Sequence, residues 1–169
     1  AASAVARHEK LDLEKAKAAL MNFTGTWRRF EYKGELNGAP VYDDYGHHPT
    51  EIRATISAAR ELYPDKKLTI VFQPHTYTRT KQLFDEFAKA VGLADAVLFL
   101  PIYSAREENV SGVTSRELSV KSLEFTSNSS YADSFESAEK LLRQKISDED
   151  VVVVMGAGDV TELAGSLVK

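Results

Sequence analysis

The sequence predicts an α/β domain whose sheet is largely parallel and flanked by helices, and three observations predict it. Leu68–Phe72 is a continuous β-branched and aromatic run and Ala96–Leu100 and Val151–Met155 are continuous apolar ones, the texture of strands buried on both faces. Segments with helical spacing separate them, the alternation expected of a parallel sheet. Three strand-to-helix turns, 43–50, 73–80 and 156–159, carry side chains that a core would not select. In such a sheet the carboxyl ends of the strands share one edge, so these turns are expected to converge.

Taken in order, Asp12 is placed to cap a helix over Leu13–Leu20, with Leu13, Ala16, Lys17 and Leu20 on helical spacing. The small apolar run Ala1–Ala6 suits a helix packed against something larger, and nothing downstream supplies that partner. Gly25 breaks the pattern. From Arg29 to Asp44 the texture is strand, with Asn37-Gly38 as a hairpin signal. Pro49 at a first helical position opens a helix to Leu62, with Ile52, Ile56, Ala59 and Tyr63 on one face. After strand 68–72, Gln73–Arg79 is expected as a loop, and Leu83, Phe84, Phe87 and Val91 mark the next helix. Tyr103–Val113 is a polar loop. Thr114 and Glu117 have capping-box spacing for a short helix. Leu123–Thr126 is expected as an additional strand and Ser127–Ser130 as a polar connector. Asp133, with Glu136 three residues on, is expected to start the helix of Ala138, Leu141, Leu142 and Lys145. Gly156-Ala157-Gly158-Asp159 turns the last strand into a final helix.

A chain of 169 residues suits one domain, with room for a fragment of a second. The net charge of −4 implies no global attraction to nucleic acid or an anionic membrane. With no cysteine, disulfides, thiolate catalysis and cysteine-based zinc sites are excluded. That composition fits a reducing compartment. The apolar runs are too short to cross a bilayer, and the N-terminus shows no signal pattern, so a soluble cytoplasmic protein is expected.

Chemistry concentrates at the turns. Asp44 could accept hydrogen bonds from ribose hydroxyls, and His47 or His48 could hold a carboxylate or move a proton. Against this, Asp44 and His48 could simply satisfy backbone groups at the helix start. His75 and Arg79, beside free helix N–H groups, would make a receptor for a small carboxylate or phosphate. Gly156-Ala157-Gly158 lacks the third glycine of a dinucleotide fingerprint, so its glycines read mainly as backbone freedom at a tight turn. Arg28 and Arg29 could reach phosphates, while Trp27 and Phe30 pack. No phosphate loop of the Gly-x-x-x-x-Gly-Lys-Ser/Thr kind is present, so phosphate handling would be shared with another domain. His47 and His48 are adjacent, without the helical spacing of a zinc pair, and no metal site is expected.

In this order, Gly25-Thr26-Trp27-Arg28-Arg29-Phe30, Asp43-Asp44-Tyr45-Gly46-His47-His48-Pro49-Thr50-Glu51, Phe72-Gln73-Pro74-His75-Thr76-Tyr77-Thr78-Arg79-Thr80 and Gly156-Ala157-Gly158-Asp159 resemble the C-terminal part of the Mur ligases of peptidoglycan synthesis. The Pro-His-x-x-x-Arg loop favours their alanine-adding branch over the recycling ligases that attach whole peptides. The resemblance implies a Rossmann-like C-terminal domain over 23–169, and at 1–22 the tail helix of a central ATPase domain. That domain, missing here with the N-terminal one, would carry the phosphate loop and the magnesium ligands. The implied reaction activates the carboxylate of UDP-N-acetylmuramate with ATP and magnesium to an acyl phosphate, which the amine of L-alanine attacks. Arg29 then matches a position near the ATP phosphates and Asp44 the acid on the ribose. Tyr45, His47, His75 and Arg79 match positions around the amino acid, with His48, Gly156 and Gly158 in support. Thr76 stands where many relatives have a second arginine, which shifts carboxylate binding onto His75 and Arg79. The fragment alone is expected to be inactive. Two other readings are a non-catalytic ligand-binding module for a nucleotide or amino acid, and a metal-dependent hydrolase using Asp44, His47, His48 and His75.

Overall fold

The computed structural model describes residues 2–23 and 25–169, so Ala1 of the small apolar run lies outside the described residues. Helices α1 (Ala2–His8) and α2 (Leu13–Met21) pack on each other, and the Asp12 carboxylate accepts from the N–H groups of Glu14 and Lys15 as the cap expected at that position. Strands β1 (Glu31–Leu36) and β2 (Ala39–Asp44) form the hairpin expected at Asn37-Gly38. Both turn residues have positive φ, 52° and 85°, the backbone that a tight hairpin demands of its central pair.

Helix α3 (Pro49–Leu62) leads to β3 (Lys67–Phe72). Helices α4 (Tyr77–Gln82) and α5 (Phe84–Val91), divided at Leu83, lead to β4 (Ala96–Phe99). Next come α6 (Ser115–Ser122), β5 (Ser129–Tyr131), α7 (Phe135–Lys145), β6 (Asp150–Met155) and α8 (Thr161–Leu167). The six strands make one sheet in the order β1-β2-β6-β3-β4-β5, and every pair except β1–β2 is parallel.

Helices cover both faces. On one, Ile52, Ile56, Phe87, Val91 and Leu118 from α3, α5 and α6 meet Tyr42, Ile70, Phe72, Phe99 and Val153. On the other, Ala138, Leu142, Leu163 and Leu167 from α7 and α8 meet Val41, Val71, Leu98, Val152 and Val154. Alternate residues of β6 therefore enter opposite cores, which is why its apolar run shows no alternation.

Two expectations are corrected. Leu123–Thr126 is not a strand: Leu123, Glu124 and Phe125 close turns onto the carbonyls of Val120, Lys121 and Ser122. The strand lies in the polar connector instead, where Ser129–Tyr131 pairs with Val97–Phe99. Strand pairing uses the backbone, and the Ser129 hydroxyl finds partners in Ser122 and the Ser119 carbonyl, so this strand needs no apolar signature. Helix α7 is capped by Ser134 with Ser137, one residue later than expected, and Asp133 accepts from the Ser137 hydroxyl.

The register aligns Asp44 with Met155, Met155 with Phe72, and Phe72 with Phe99, so four strands end at one level. From β2 and β3 the chain turns to the α3–α5 face, and from the intervening β6 to the α8 face. That reversal is a topological switch point, which opens a crevice at the carboxyl edge.

Candidate functional site

The turn after β2 is built around Asp44, which is 5% exposed. Its Oδ2 accepts from the Phe30 N–H and its Oδ1 from the Gly46 N–H, each at 2.8 Å. A carboxylate has about four lone-pair positions, so acceptor capacity remains. A Cβ on Gly46 would lie 2.7 Å from Asp44 Oδ1, which fixes glycine at that position. His48 is the N-cap of α3, with Nδ1 accepting from the Thr50 N–H at 3.3 Å. The Glu51 carboxylate accepts from the N–H groups of His47 and His48. Burial pushes the Glu51 carboxyl up, but the His47 amide, the His47 ring, the His48 amide and Arg29 outweigh it and hold it below its ordinary value. His48 thus serves the helix start, whereas Asp44 satisfies backbone groups outside it, those of Phe30 and Gly46.

In the turn after β3, Gln73 donates to Asp159 Oδ1 at 2.8 Å and accepts from the Val160 N–H at 3.2 Å, which ties this turn to the one after β6. His75 Nδ1 lies 3.3 Å from Nη1 of Arg79. A guanidinium only donates, so Nδ1 is the acceptor. Burial, then the charge of Arg79, then His47 push the His75 ring below its ordinary pKa, against a weaker opposite pull from Glu107. The free helix N–H groups expected here are not free: Glu107 Oε2 takes the Thr78 N–H at 2.9 Å, and Thr76 Oγ1 takes that of Arg79 at 3.4 Å. Thr76 therefore serves the start of α4. Helix α4 begins at Tyr77, so Arg79 stands in its first turn and His75 just before it.

The turn after β6 explains its glycines. Gly156 has φ of 150°, and a Cβ there would meet the Gln73 carbonyl at 2.7 Å. On Gly158 a Cβ would meet the Tyr103 ring at 2.6 Å and Gln73 Oε1 at 2.5 Å. The turn is pressed against its neighbours, and only glycine fits.

The sequence offered both Arg28 and Arg29 to phosphates, and the resemblance singled out Arg29. Arg28 is 3% exposed, pairs with the fully buried Asp43 at 3.2 Å, and donates to the carbonyls of Gly156 and Gly158. Thr161 Oγ1 donates to the same Asp43 at 2.6 Å. The signal was available in Asp43, an acid inside a strand destined for burial, because such a charge needs a buried partner. Arg29 is exposed, with its guanidinium 5.6 Å from the Tyr45 ring centre; that of Arg28 lies 5.0 Å from it.

The turns meet through their rings. Tyr45 stands edge-on to His47 at 5.4 Å, His47 lies 6.0 Å from His75, and His75 stacks on Tyr103 at 5.5 Å. Tyr45, His47, His75 and Arg79 are thus brought together, with Arg29 against Tyr45 and Asp44 behind. Tyr103 belongs to a fourth loop, after β4, that sequence reasoning left out. A half-buried imidazole and guanidinium side by side suit a small carboxylate. Among the described residues no group of three or more His, Cys, Asp or Glu could hold a metal ion. A cavity of about 460 Å³ beside Lys67, Ala96, Leu142 and Asp150 opens where β3, β4 and β6 begin, at the opposite edge of the sheet. Tyr45, His47, His75, Arg79 and Tyr103 do not line it. Nor is any described helix long and apolar enough to cross a membrane.

Comparison with known proteins shows the family of the chain and its fold. Residues 28–158 match the family model described as Mur ligase, glutamate ligase domain. The chain is 47% identical, over all of its 169 residues, to the UDP-N-acetylmuramate–L-alanine ligase of Lachnospira eligens, of which it covers 37%. It superposes with a TM-score of 0.76 on the UDP-N-acetylmuramate-alanine ligase of Thermotoga maritima, at 28% identity, covering 98% of this chain and 34% of that one. A murein peptide ligase from Psychrobacter arcticus shares the fold at 24% identity and a TM-score of 0.66, over 99% of this chain and 36% of its own. The chain spans about a third of the length of the curated relatives it matches. It belongs to the Mur ligase, glutamate ligase domain family.

Proposed function

We propose that the chain is the C-terminal domain of an ATP-dependent, cytoplasmic ligase that joins L-alanine to UDP-N-acetylmuramate in peptidoglycan precursor synthesis. The observation that carries this reading is the pairing of His75 and Arg79 opposite Tyr45 and His47 at the switch-point edge. Residues 1–22 would end the preceding ATPase domain, and 23–169 would form the domain proper. In support, Val5, Leu13, Leu20 and Met21 of α1 and α2 are exposed, a face suited to a larger partner.

His75 and Arg79 receive the alanine carboxylate, the guanidinium supplying the charge and the imidazole a directed hydrogen bond. Tyr45 and His47 wall the pocket. Asp44 offers its remaining lone pairs to the ribose of ATP, and Arg29, which enters no ion pair among the described residues, reaches the phosphates. Arg28 and Asp43 neutralise each other and are not free for either task. The acids here do not fit magnesium: Asp43 is paired, Asp44 is held by two amides, and no metal-binding cluster stands among the described residues. The phosphate loop and metal ligands would belong to the preceding domain. Closure of the two domains would bring the amine to the acyl phosphate and exclude the water that would hydrolyse it.

The test is ADP release by the longer enzyme that contains this chain. It should require both UDP-N-acetylmuramate and L-alanine, while the chain alone catalyses nothing and binds ATP or L-alanine only weakly in calorimetry. Tight binding of either by the isolated chain overturns the reading in favour of a self-sufficient binding module.

A further inference from the structure

The loop after β4 supplies a residue that none of the motifs contains. Tyr103 forms a parallel bridge with His75, its N–H donating to the Pro74 carbonyl at 2.9 Å and its carbonyl accepting from the Thr76 N–H at 2.8 Å. Its ring stacks on the imidazole of His75, with centroids 5.5 Å apart and planes inclined by 26°. Its other neighbour is Gly158, where a Cβ would come within 2.6 Å of the ring. The phenol, on a residue 36% exposed, thus lies against both the turn after β3 and the turn after β6. Glu107, farther along the same loop, anchors it to the first turn of α4 through the Thr78 N–H.

We propose that Tyr103 is a positioning residue of the site, holding the His75 imidazole in the orientation from which, together with Arg79, it meets a substrate carboxylate. This rests on the amino-acid pocket proposed above. Among the described residues the imidazole has one hydrogen bond to hold it, from Arg79 at Nδ1, and one contact fixes a direction but not a ring plane. The stacked phenol supplies the second constraint and shields that face of His75 from water. Besides Tyr103, the groups facing the imidazole are Arg79 on α4, His47 on the turn after β2 and Glu107 on the β4–α6 loop. Glycine at 158 has its reason in the same arrangement, since any side chain there would displace the phenol from the stack.

Histidine-ring NMR on this chain tests the idea without reference to any reaction. In the wild type, nuclear Overhauser contacts should join the rings of Tyr103 and His75. In Tyr103→Leu the His75 resonances should collapse towards averaged values and its titration midpoint should rise, while Tyr103→Phe retains both properties. Absence of the ring contacts in the wild type, or an unmoved His75 in a folded Tyr103→Leu, overturns the proposal. If the leucine variant does not fold, the wild-type contacts still decide. In the longer ligase, Tyr103→Leu should raise KM for L-alanine about tenfold, with KM for ATP within about twofold and Tyr103→Phe near wild type. Should the ring measurements hold while a different amine substrate shows the effect, Tyr103 keeps its role and the assignment of L-alanine fails.

Discussion

Arg28 and Asp43 form an ion pair at 3.2 Å with side chains only 3% and 0% exposed, and the same guanidinium holds the carbonyls of Gly156 and Gly158. The pair joins the segment entering β1, the end of β2 and the turn after β6. Arg28 takes a left-handed backbone, φ 52°, to reach that position, and its carbonyl accepts from the Tyr45 N–H at 2.7 Å. The three segments are therefore held together by a charge pair buried away from solvent.

Breaking this pair should be costly from either side. Asp43→Ala leaves a buried guanidinium uncompensated, for which about 3–5 kcal/mol is expected. Urea denaturation of Asp43→Ala, Arg28→Ala and the double variant should give a double-variant loss well below the sum of the singles, because the second change removes a charge already orphaned. Strict additivity would mean that the two do not act as a unit.

Three glycines are predicted to respond differently to alanine. Gly158→Ala presses into the Tyr103 ring and Gly46→Ala into Asp44 and Met155, so each should lose about 1–3 kcal/mol. Gly165 lies in α8 with nothing within 4 Å of an added Cβ. Gly165→Ala should gain about 0.5–1 kcal/mol from helix propensity. Thermal midpoints of the three variants check the ordering.

Arg79→Ala in the longer ligase should raise KM for L-alanine about thirtyfold or more, the loss of a charge-assisted hydrogen bond, and leave KM for ATP nearly unchanged. Steady-state kinetics with each substrate varied in turn would show it. Equal effects on both would place Arg79 outside the amino-acid pocket.

His75 gives the domain a pH dependence with a definite sign. Its folded pKa lies below its ordinary value, through burial and then Arg79, so the unfolded chain takes up the proton first as pH falls. Stability should decline as pH drops through about 6.5, until the folded ring also titrates. His75→Gln should flatten the urea midpoint over that window. At lower pH a second loss is expected from Asp95, whose carboxyl is held down chiefly by the Arg60 hydrogen bond. That contribution is present above the ordinary aspartate value and disappears as pH falls through the folded one.

Much of the fold was legible because burial leaves a mark on composition. A strand flanked by helices on both faces is largely apolar or β-branched along its length, and β3, β4 and β6 were read from that texture. Asn37-Gly38 and Pro49 were legible because their backbone demands admit few residues. What composition did not mark was missed. β5 is held by main-chain pairing and serine hydroxyls, and Leu123–Phe125 mimics a strand while closing a helix. At the site, the residue types and their convergence were readable, but not which arginine turns inward, a choice made by the backbone at Arg28. Nor could a polar loop announce that Tyr103 would stack on His75, because their contact exists only once β3 and β4 lie side by side.

The place of β6 in the sheet governs how the domain comes into being. It is the last strand in sequence, yet it stands between β2 and β3 and supplies the pairing partner of both. A ribosome extruding this chain releases β2 and β3 well before the strand that joins them, and each waits with an unpaired apolar edge. Long-range parallel pairing of this kind is slow, so that interval is when chaperones would matter. Gly156 and Gly158 follow directly on β6, and Arg28 can clasp them only once that strand is in place. Without β6 the strands β2 and β3 would have no partner between them, so the central pairing of the sheet depends on the last of its strands to be made.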